Sequence, residues 1–384
     1  MGADVTQSQA AKLLGALALM AAGLSGAAHA APTTPPPTSL IDDALIVAQR
    51  LNATPIDKQT LVNGALDGMM RTLDRGAEYI SPQDYQAMID LGQVVGLGLT
   101  TSTDDGVARI VALADGAPAA KGGLRLGDYI VAIDGHSVLG DTNFRVSRKL
   151  SGAPGSPVKV SIIRDMRERL DLTLVRDAVI PEGVTARLEG DYAYLRLGGL
   201  DERSTDKLDT GLRDLRREHP DIKGLVLDLR DNPGGLLDQA MAVSDAFLDS
   251  GQVFSQRGQK ADENRRYTAR PGDVISGLPM VVLINGGTAA GAEIIASALQ
   301  DNHRARLVGT QSFGRGSIQT VVPLSGGADG ALKVTTAYFY RPSGEAIEAV
   351  GVKPDVVAPK TAGPTDAQLA RAIDLLKAGP GKAD

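Results

Sequence analysis

Apolar residues recur along this chain with three successive spacings. From residue 39 to 90 the spacing is helical: Leu40, Ile41, Ala44, Leu45, Val47, Ala48 and Leu51 share one stripe, and Leu61, Ala65, Met69, Met70 and Leu73 share a second. Ser81-Pro82 offers an N-cap with proline at the first helical position, predicting a short helix through Tyr85 and Met88. From 91 to 178 the pattern shortens to β-type runs at 94–100, 108–114, 129–133, 158–164 and 170–175, with brief helical stretches at 119–122 and 142–150. Turn signals separate them: Asp104-Asp105-Gly106, Asp115-Gly116-Ala117-Pro118 and Asp134-Gly135. From 179 to 360 strands and helices alternate, with strands at 192–197, 224–229, 280–284, 306–309, 318–323 and 332–340 and helices at 204–217 and 236–248. Residues 365–377, with Leu369, Ile373, Leu375 and Leu376, read as a closing amphipathic helix. The predicted fold class is a multidomain α+β chain. A helical N-terminal segment (39–90) leads to a small β domain (91–178), an α/β core with helices against a sheet (179–360), and a C-terminal helix and tail (361–384).

The stretch 282–293, Val-Leu-Ile-Asn-Gly-Gly-Thr-Ala-Ala-Gly-Ala-Glu, carries the chemistry of interest. A buried strand runs into a glycine-rich turn and then into a helix with Ile294, Ile295, Ala298 and Leu299 at helical spacing. Such a junction collects unpaired N–H groups at one point, which suits a nucleophile beside an oxyanion hole. Yet the turn holds neither serine nor cysteine, and its one hydroxyl is that of Thr288.

Composition removes several function classes. The net charge of −6, the absence of tryptophan and the 3% aromatic content argue against nucleic-acid binding. Without cysteine there is no disulfide, no thiolate nucleophile and no cysteine metal site. His136, His219 and His303 are scattered and read as surface residues, so neither a metal nor a cofactor is expected. Residues 1–30 read as an export signal. Lys12 precedes an apolar run at 13–24, too short for a comfortable membrane span, and Ala28-His29-Ala30 supplies a cleavage site. A Pro-rich linker (31–38) follows, and the expected compartment is periplasmic or extracellular, with no stable membrane span after cleavage near Ala30.

The β domain resembles a PDZ domain. Gly96-Leu97-Gly98-Leu99 matches its carboxylate loop, followed in order by Gly116-Ala117-Pro118-Ala119, Leu126-Gly127-Asp128-Tyr129-Ile130 and Asp134-Gly135. The physical logic agrees: glycine-flanked N–H groups can hold a peptide's terminal carboxylate while a strand edge pairs with its backbone. With the core included, the whole chain resembles the carboxy-terminal processing, or tail-specific, serine peptidases. The carriers are Gly68-Met69 with Leu73-Asp74, Leu227-Asp228-Leu229-Arg230-Asp231-Asn232-Pro233-Gly234-Gly235, residues 282–293, Val308-Gly309-Thr310, Phe313-Gly314-Arg315-Gly316-Ser317-Ile318-Gln319-Thr320, Pro342-Ser343-Gly344 and Val352-Lys353-Pro354-Asp355.

The resemblance implies a serine nucleophile, a lysine general base and a glutamine that orients the lysine. It places them on Ala290, Arg315 and Gln319, so only the glutamine is kept. It implies oxyanion donors at Gly234, Gly235 and Gly291, and protein C-termini or unstructured peptides as partners. Alanine has no nucleophilic atom, and arginine does not give up its proton near neutral pH. The expected function is therefore peptide binding without proteolysis. Two alternatives stay open: a peptidase with a relocated nucleophile such as Thr288, and an apolar-ligand binder using the former substrate groove. Thr288 also reads as a helix N-cap, and Ser312 and Ser317 as turn formers. Asp228, Arg230 and Asp231 read as structural, and Arg315 leaves a fixed charge for Glu293 or for a bound carboxylate. Glu345 and Glu348 stand where the family usually has arginine and glutamine.

Overall fold

A computed structural model describes residues 37–74, 76–90, 95–104, 106–114, 116–178, 183–359 and 366–379. The expected export signal and all but the last two residues of the expected linker lie outside the described residues. The chain divides into two units, Met1–Val62 and Asn63–Asp384.

In the first unit, α1 (Pro37–Leu51) begins inside the expected linker. Its apolar stripe is not a buried face: Leu40, Ile41, Val47 and Leu51 are all exposed. Helix α2 (Lys58–Arg71) contains the boundary between the units. Of its expected stripe only Met70 is buried, in a small cluster with Ala77 and Tyr79.

The segment that follows is not wholly helical. β1 (Glu78–Ile80) pairs antiparallel with residues 331–333, some 250 positions later, a three-residue strand too short to show a period of its own. Helix α3 (Pro82–Asp90) starts as expected, Ser81 Oγ accepting from the Asp84 N–H at 3.2 Å.

The β domain comprises β2 (Val95–Gly96), β3 (Leu99–Asp104), β4 (Val107–Leu113), α4 (Pro118–Lys121), β5 (Tyr129–Ile133), β6 (His136–Ser137), α5 (Asn143–Leu150), β7 (Pro157–Arg164), β8 (Glu168–Val175) and β9 (Asp177–Ala178). The main sheet runs β3-β4-β5-β7-β8, with β3 outermost, and β2 pairs apart with β9. The single run expected at 94–100 is two strands, because Gly98 turns the chain with φ +70°, a conformation glycine adopts without a Cβ clash. Leu97, Ile110, Ile130, Val146, Leu150, Val160 and Ile162 fill the core of this domain.

The rest forms two sheets rather than one. The central sheet contains β10 (Val184–Glu189), β11 (Tyr192–Leu197), β12 (Leu225–Asp228), β15 (Met280–Ile284), β16 (Arg306–Gly309) and β19 (Val356–Val357), in that order. All its pairings are parallel except β10 with β11. Alternation along each strand serves two faces. Leu195, Leu197, Leu225, Leu227, Val282 and Ile284 pack against α6 (Ser204–Glu218), α7 (Leu237–Ala246) and α8 (Gly291–Asp301). Tyr194, Val226, Val281, Leu283 and Val308 pack against α9 (Ala367–Ala378) through Leu369, Ala372 and Leu376. Each fully buried leucine contributes roughly 2 kcal/mol.

The second sheet takes β13 (Gln252–Gly258), β14 (Arg265–Thr268), β17 (Ser317–Pro323) and β18 (Ala331–Tyr340), with β1 at one edge. The runs expected at 318–323 and 332–340 belong here, and the hairpin β13–β14 was not legible because polar and charged residues such as Ser255, Gln256, Arg265 and Arg266 interrupt any alternation.

At the carboxyl end of β12, Asp228 is fully buried and accepts from Tyr194 Oη at 2.6 Å and from Arg230 Nε and Nη2. Arg230 also bonds Asp366, the N-cap of α9, and Gln368 Oε1. Burial works against the guanidinium's charge, but the hydrogen bonds it donates to Asp228 and Asp366 prevail and raise its pKa. These bonds tie the carboxyl end of β12 to the N-terminus of α9. Arg230→Ala should lower unfolding free energy by about 3 kcal/mol, since it removes the close cationic partner of the buried Asp228 carboxylate and leaves it Tyr194 and, at 3.9 Å, Arg196. Urea denaturation followed by circular dichroism measures this.

Candidate active site

Three adjacent parallel strands, β12, β15 and β16, deliver three loops at their carboxyl ends, where open α/β sheets place ligand sites. The loops span residues 229–235, 285–291 and 310–316.

The first two are bound together from inside. Asn232 is fully buried; its Nδ2 donates to Leu197 O (2.8 Å), its Oδ1 accepts from the Gly234 N–H (2.9 Å), and its carbonyl accepts from the Ala289 N–H (2.9 Å). Asn285 Oδ1 accepts from the N–H groups of Asp231 and Gly287, both at 2.9 Å. Glycine is required at 234: φ is +94°, and a Cβ would lie 2.8 Å from that of Ala290 and 2.9 Å from the Gly291 nitrogen. The backbone of the first loop thus lies directly against the turn.

Ala290 stands at the head of α8 with φ +50° and ψ −116°, a conformation costing an L-residue about 1–3 kcal/mol. A sharp strand-to-helix turn with one strained residue at its apex is the geometry that exposes a nucleophile. Here the apex side chain is a methyl group. The Gly291 N–H beside it, and that of Gly235, have no acceptor among the described residues. Gly234, in contrast, has its N–H committed to Asn232.

Glu293, in the first turn of α8, joins the second loop to the third. It is fully buried. Its Oε2 accepts from the N–H groups of Ala290 (2.9 Å) and Arg315 (2.8 Å). Its Oε1 accepts from Ser312 Oγ (2.5 Å) and the Gly314 N–H (2.7 Å). Burial pushes its pKa above the usual carboxylate range, against the pull of all four donors. Ser312 is a relay, accepting from the Val352 N–H at 2.6 Å while donating to Glu293.

Arg315 is therefore beside Ala290, but through its backbone. Its half-buried guanidinium makes no hydrogen bond or ion pair among the described residues, and Cζ lies 5.0 Å from the centre of the Phe313 ring. Burial lowers its pKa, while Glu293 and Glu348 act in the opposite direction. Gln319 donates through Nε2 to Thr335 Oγ1 (2.7 Å) and Ser317 Oγ (3.2 Å), whereas its Oε1 is buried with no donor. Gly76 packs against that amide, a contact the sequence did not disclose.

Thr288 is not the N-cap of α8, a position held by Ala290. It is fully buried, and its Oγ1 donates to Leu229 O (2.8 Å) while accepting from the Asn285 N–H (3.0 Å). In the β domain the Leu97 and Gly98 carbonyls accept from Ala119 and Ala114, whereas the N–H groups of those two loop residues have no acceptor among the described residues. Gly96 lies in β2 and Leu99 opens β3, whose outer edge faces no other strand of its sheet. His136, His219 and His303 are exposed, and the described residues contain no cluster able to hold a metal ion.

Residues 191–358 match peptidase family S41 and residues 109–164 match a PDZ domain. A carboxy-terminal-processing protease of Bartonella bacilliformis is 42% identical over 306 residues, covering 78% of this chain and 70% of the relative. The chain belongs to the carboxy-terminal processing protease family. Carboxy-terminal processing protease CtpA of Bacillus subtilis is 32% identical, over 79% of this chain and 65% of that protein. A solved photosystem II D1 C-terminal processing protease superposes with a TM-score of 0.73 at 29% identity, covering 87% of this chain and 96% of its own. Family membership supports the fold class read from sequence, from helical segment through PDZ domain to mixed α/β core.

Two stability effects follow for this family member's turn. Ala290→Gly should stabilise the protein by about 1 kcal/mol in chemical denaturation, because strain relief exceeds the added entropy of the unfolded chain. Glu293→Gln should destabilise it by about 2 kcal/mol or more, since an amide can serve only two of the four donors.

Proposed function

We propose that this protein is an exported, non-proteolytic member of the carboxy-terminal processing proteases that binds protein C-termini or unstructured peptides as a scaffold or regulator. The observation that carries the proposal is the strained apex at residue 290, where a methyl group stands in place of a hydroxyl. The other half of the dyad position agrees. Arginine at 315 stays protonated and so is no general base, even with burial lowering its pKa. Gln319 Oε1 is left without a donor, as expected where an ammonium has been lost. When nucleophile or base is removed from a serine peptidase, turnover falls by roughly a million-fold, and the losses do not add.

What remains supports binding. The turn, the unpaired N–H groups of Gly235 and Gly291, the loop at 96–99 and the open edge of β3 are all in place. An added strand on β3 and a carboxylate at the loop are the interactions a PDZ groove makes with a chain end. No helix among the described residues is long and apolar enough to cross a membrane. Export rests on residues 1–30 alone. Thr288 is a poor substitute nucleophile, because its hydroxyl already donates to Leu229 O and is closed off from solvent.

Ala290→Ser combined with Arg315→Lys should restore cleavage of an unstructured polypeptide, measured by release of new termini, while either change alone should restore little. Cleavage by the unaltered protein that is abolished by Thr288→Ala would overturn the reading in favour of a relocated nucleophile.

A further inference from the structure

The guanidinium of Arg315 lies by the Phe313 ring, with Cζ 5.0 Å from its centre, on a residue whose own N–H belongs to the Glu293 cluster. It offers five N–H donors in a planar fork, it is half-buried, and none of those donors meets a described acceptor. Two carboxylates act on it through space, and neither is an ion-pair partner. Glu293 already receives two donors on each oxygen. Glu348 uses Oε2 to accept from the Gly316 N–H at 2.7 Å. The Phe313 ring on one side of the fork limits its hydration. A half-buried guanidinium in this state gains most from a planar, two-oxygen acceptor, because a carboxylate takes two parallel N–H bonds from it.

Glu293 and Glu348 both have N–H donors of their own, and the backbone of the turn adds a further donor. The Gly291 N–H, without an acceptor among the described residues, follows Ala290 directly, and the Ala290 N–H shares Glu293 Oε2 with that of Arg315. In a proteolytic site these elements receive an internal carbonyl, and the base beside it must be able to lose its proton. A permanent cation in the base position suits a negative charge instead, and along a polypeptide main chain the one negative charge is at its end.

We propose that the core site, separately from the PDZ loop, holds the terminal carboxylate of a polypeptide on Arg315, so that a chain end occupies the site where family members present an internal bond. This deepens the non-proteolytic reading and rests on it. The molecule then has two carboxylate receivers, the loop at 96–99 and Arg315, and one chain end fills only one of them at a time.

The test uses the full chain and a short unstructured peptide carrying a photoreactive residue next to its last position, made as a free acid and as a C-terminal amide. After irradiation, adducts are mapped by mass spectrometry. The acid should label residues 289–291 or 313–316 at least roughly tenfold more than the amide, the discrimination expected of a charge-assisted pair. Arg315→Gln should abolish that preference, while acid-dependent labelling at 96–99 persists and reports a folded protein. Equal labelling of the core by acid and amide, an undiminished preference in Arg315→Gln, or no core adduct with either peptide would overturn the proposal. A shortened peptide in the same spectra would instead contradict the non-proteolytic reading, so the two failures are distinguishable.

Discussion

One buried carboxylate organises the site. Glu293 holds the apex of the turn through the Ala290 N–H and the third loop through Ser312, Gly314 and Arg315, so two segments separated in sequence meet on its two oxygens. Burying an acid is costly unless its lone pairs are filled, and here all four donors come from backbone or from a hydroxyl fixed by Val352. None is a basic side chain. The geometry of the site therefore does not depend on residue 315 being lysine, because Glu293 reads the backbone at that position. That explains how the side chains of a dyad can change while the frame around them stays.

The retained strain points the same way. A residue at φ +50° is costly for alanine, whose methyl group brings no hydroxyl to the apex. It persists because Asn232, Asn285 and Glu293 fix the backbone on either side and Gly234 presses against it. The scaffold imposes the conformation whatever the apex side chain is. Binding by unpaired N–H groups survives such a change, whereas nucleophilic attack does not, and the proposed function lies on that division.

Much of this was legible in the sequence because it was carried by short local patterns. The strand–turn–helix at 280–299 and the helices at 204–217 and 236–248 followed from periodicity, and the glycine-rich turn at 286–287 from turn chemistry. The placing of a dyad and its orienting glutamine on residues 290, 315 and 319 came from resemblance, since no spacing rule links them. The second sheet was largely hidden. Its strands β13 and β14 are polar, and β1 pairs with β18 across some 250 residues, a contact that no local pattern encodes. The apolar stripe of α1 misled, because spacing describes a face without saying what covers it. Nor did the sequence reveal that Glu293 bonds Arg315 through the main chain, or that Gln319 Oε1 has no donor.

The central claim is that the binding frame remains after its chemistry has gone. The most direct measurement is prolonged incubation of the unaltered protein with an unstructured polypeptide, followed by mass spectrometry of all products and, in parallel, titration of the complex. The account predicts a saturable complex with every substrate molecule at its original mass. New chain ends that accumulate in proportion to protein and time would contradict it.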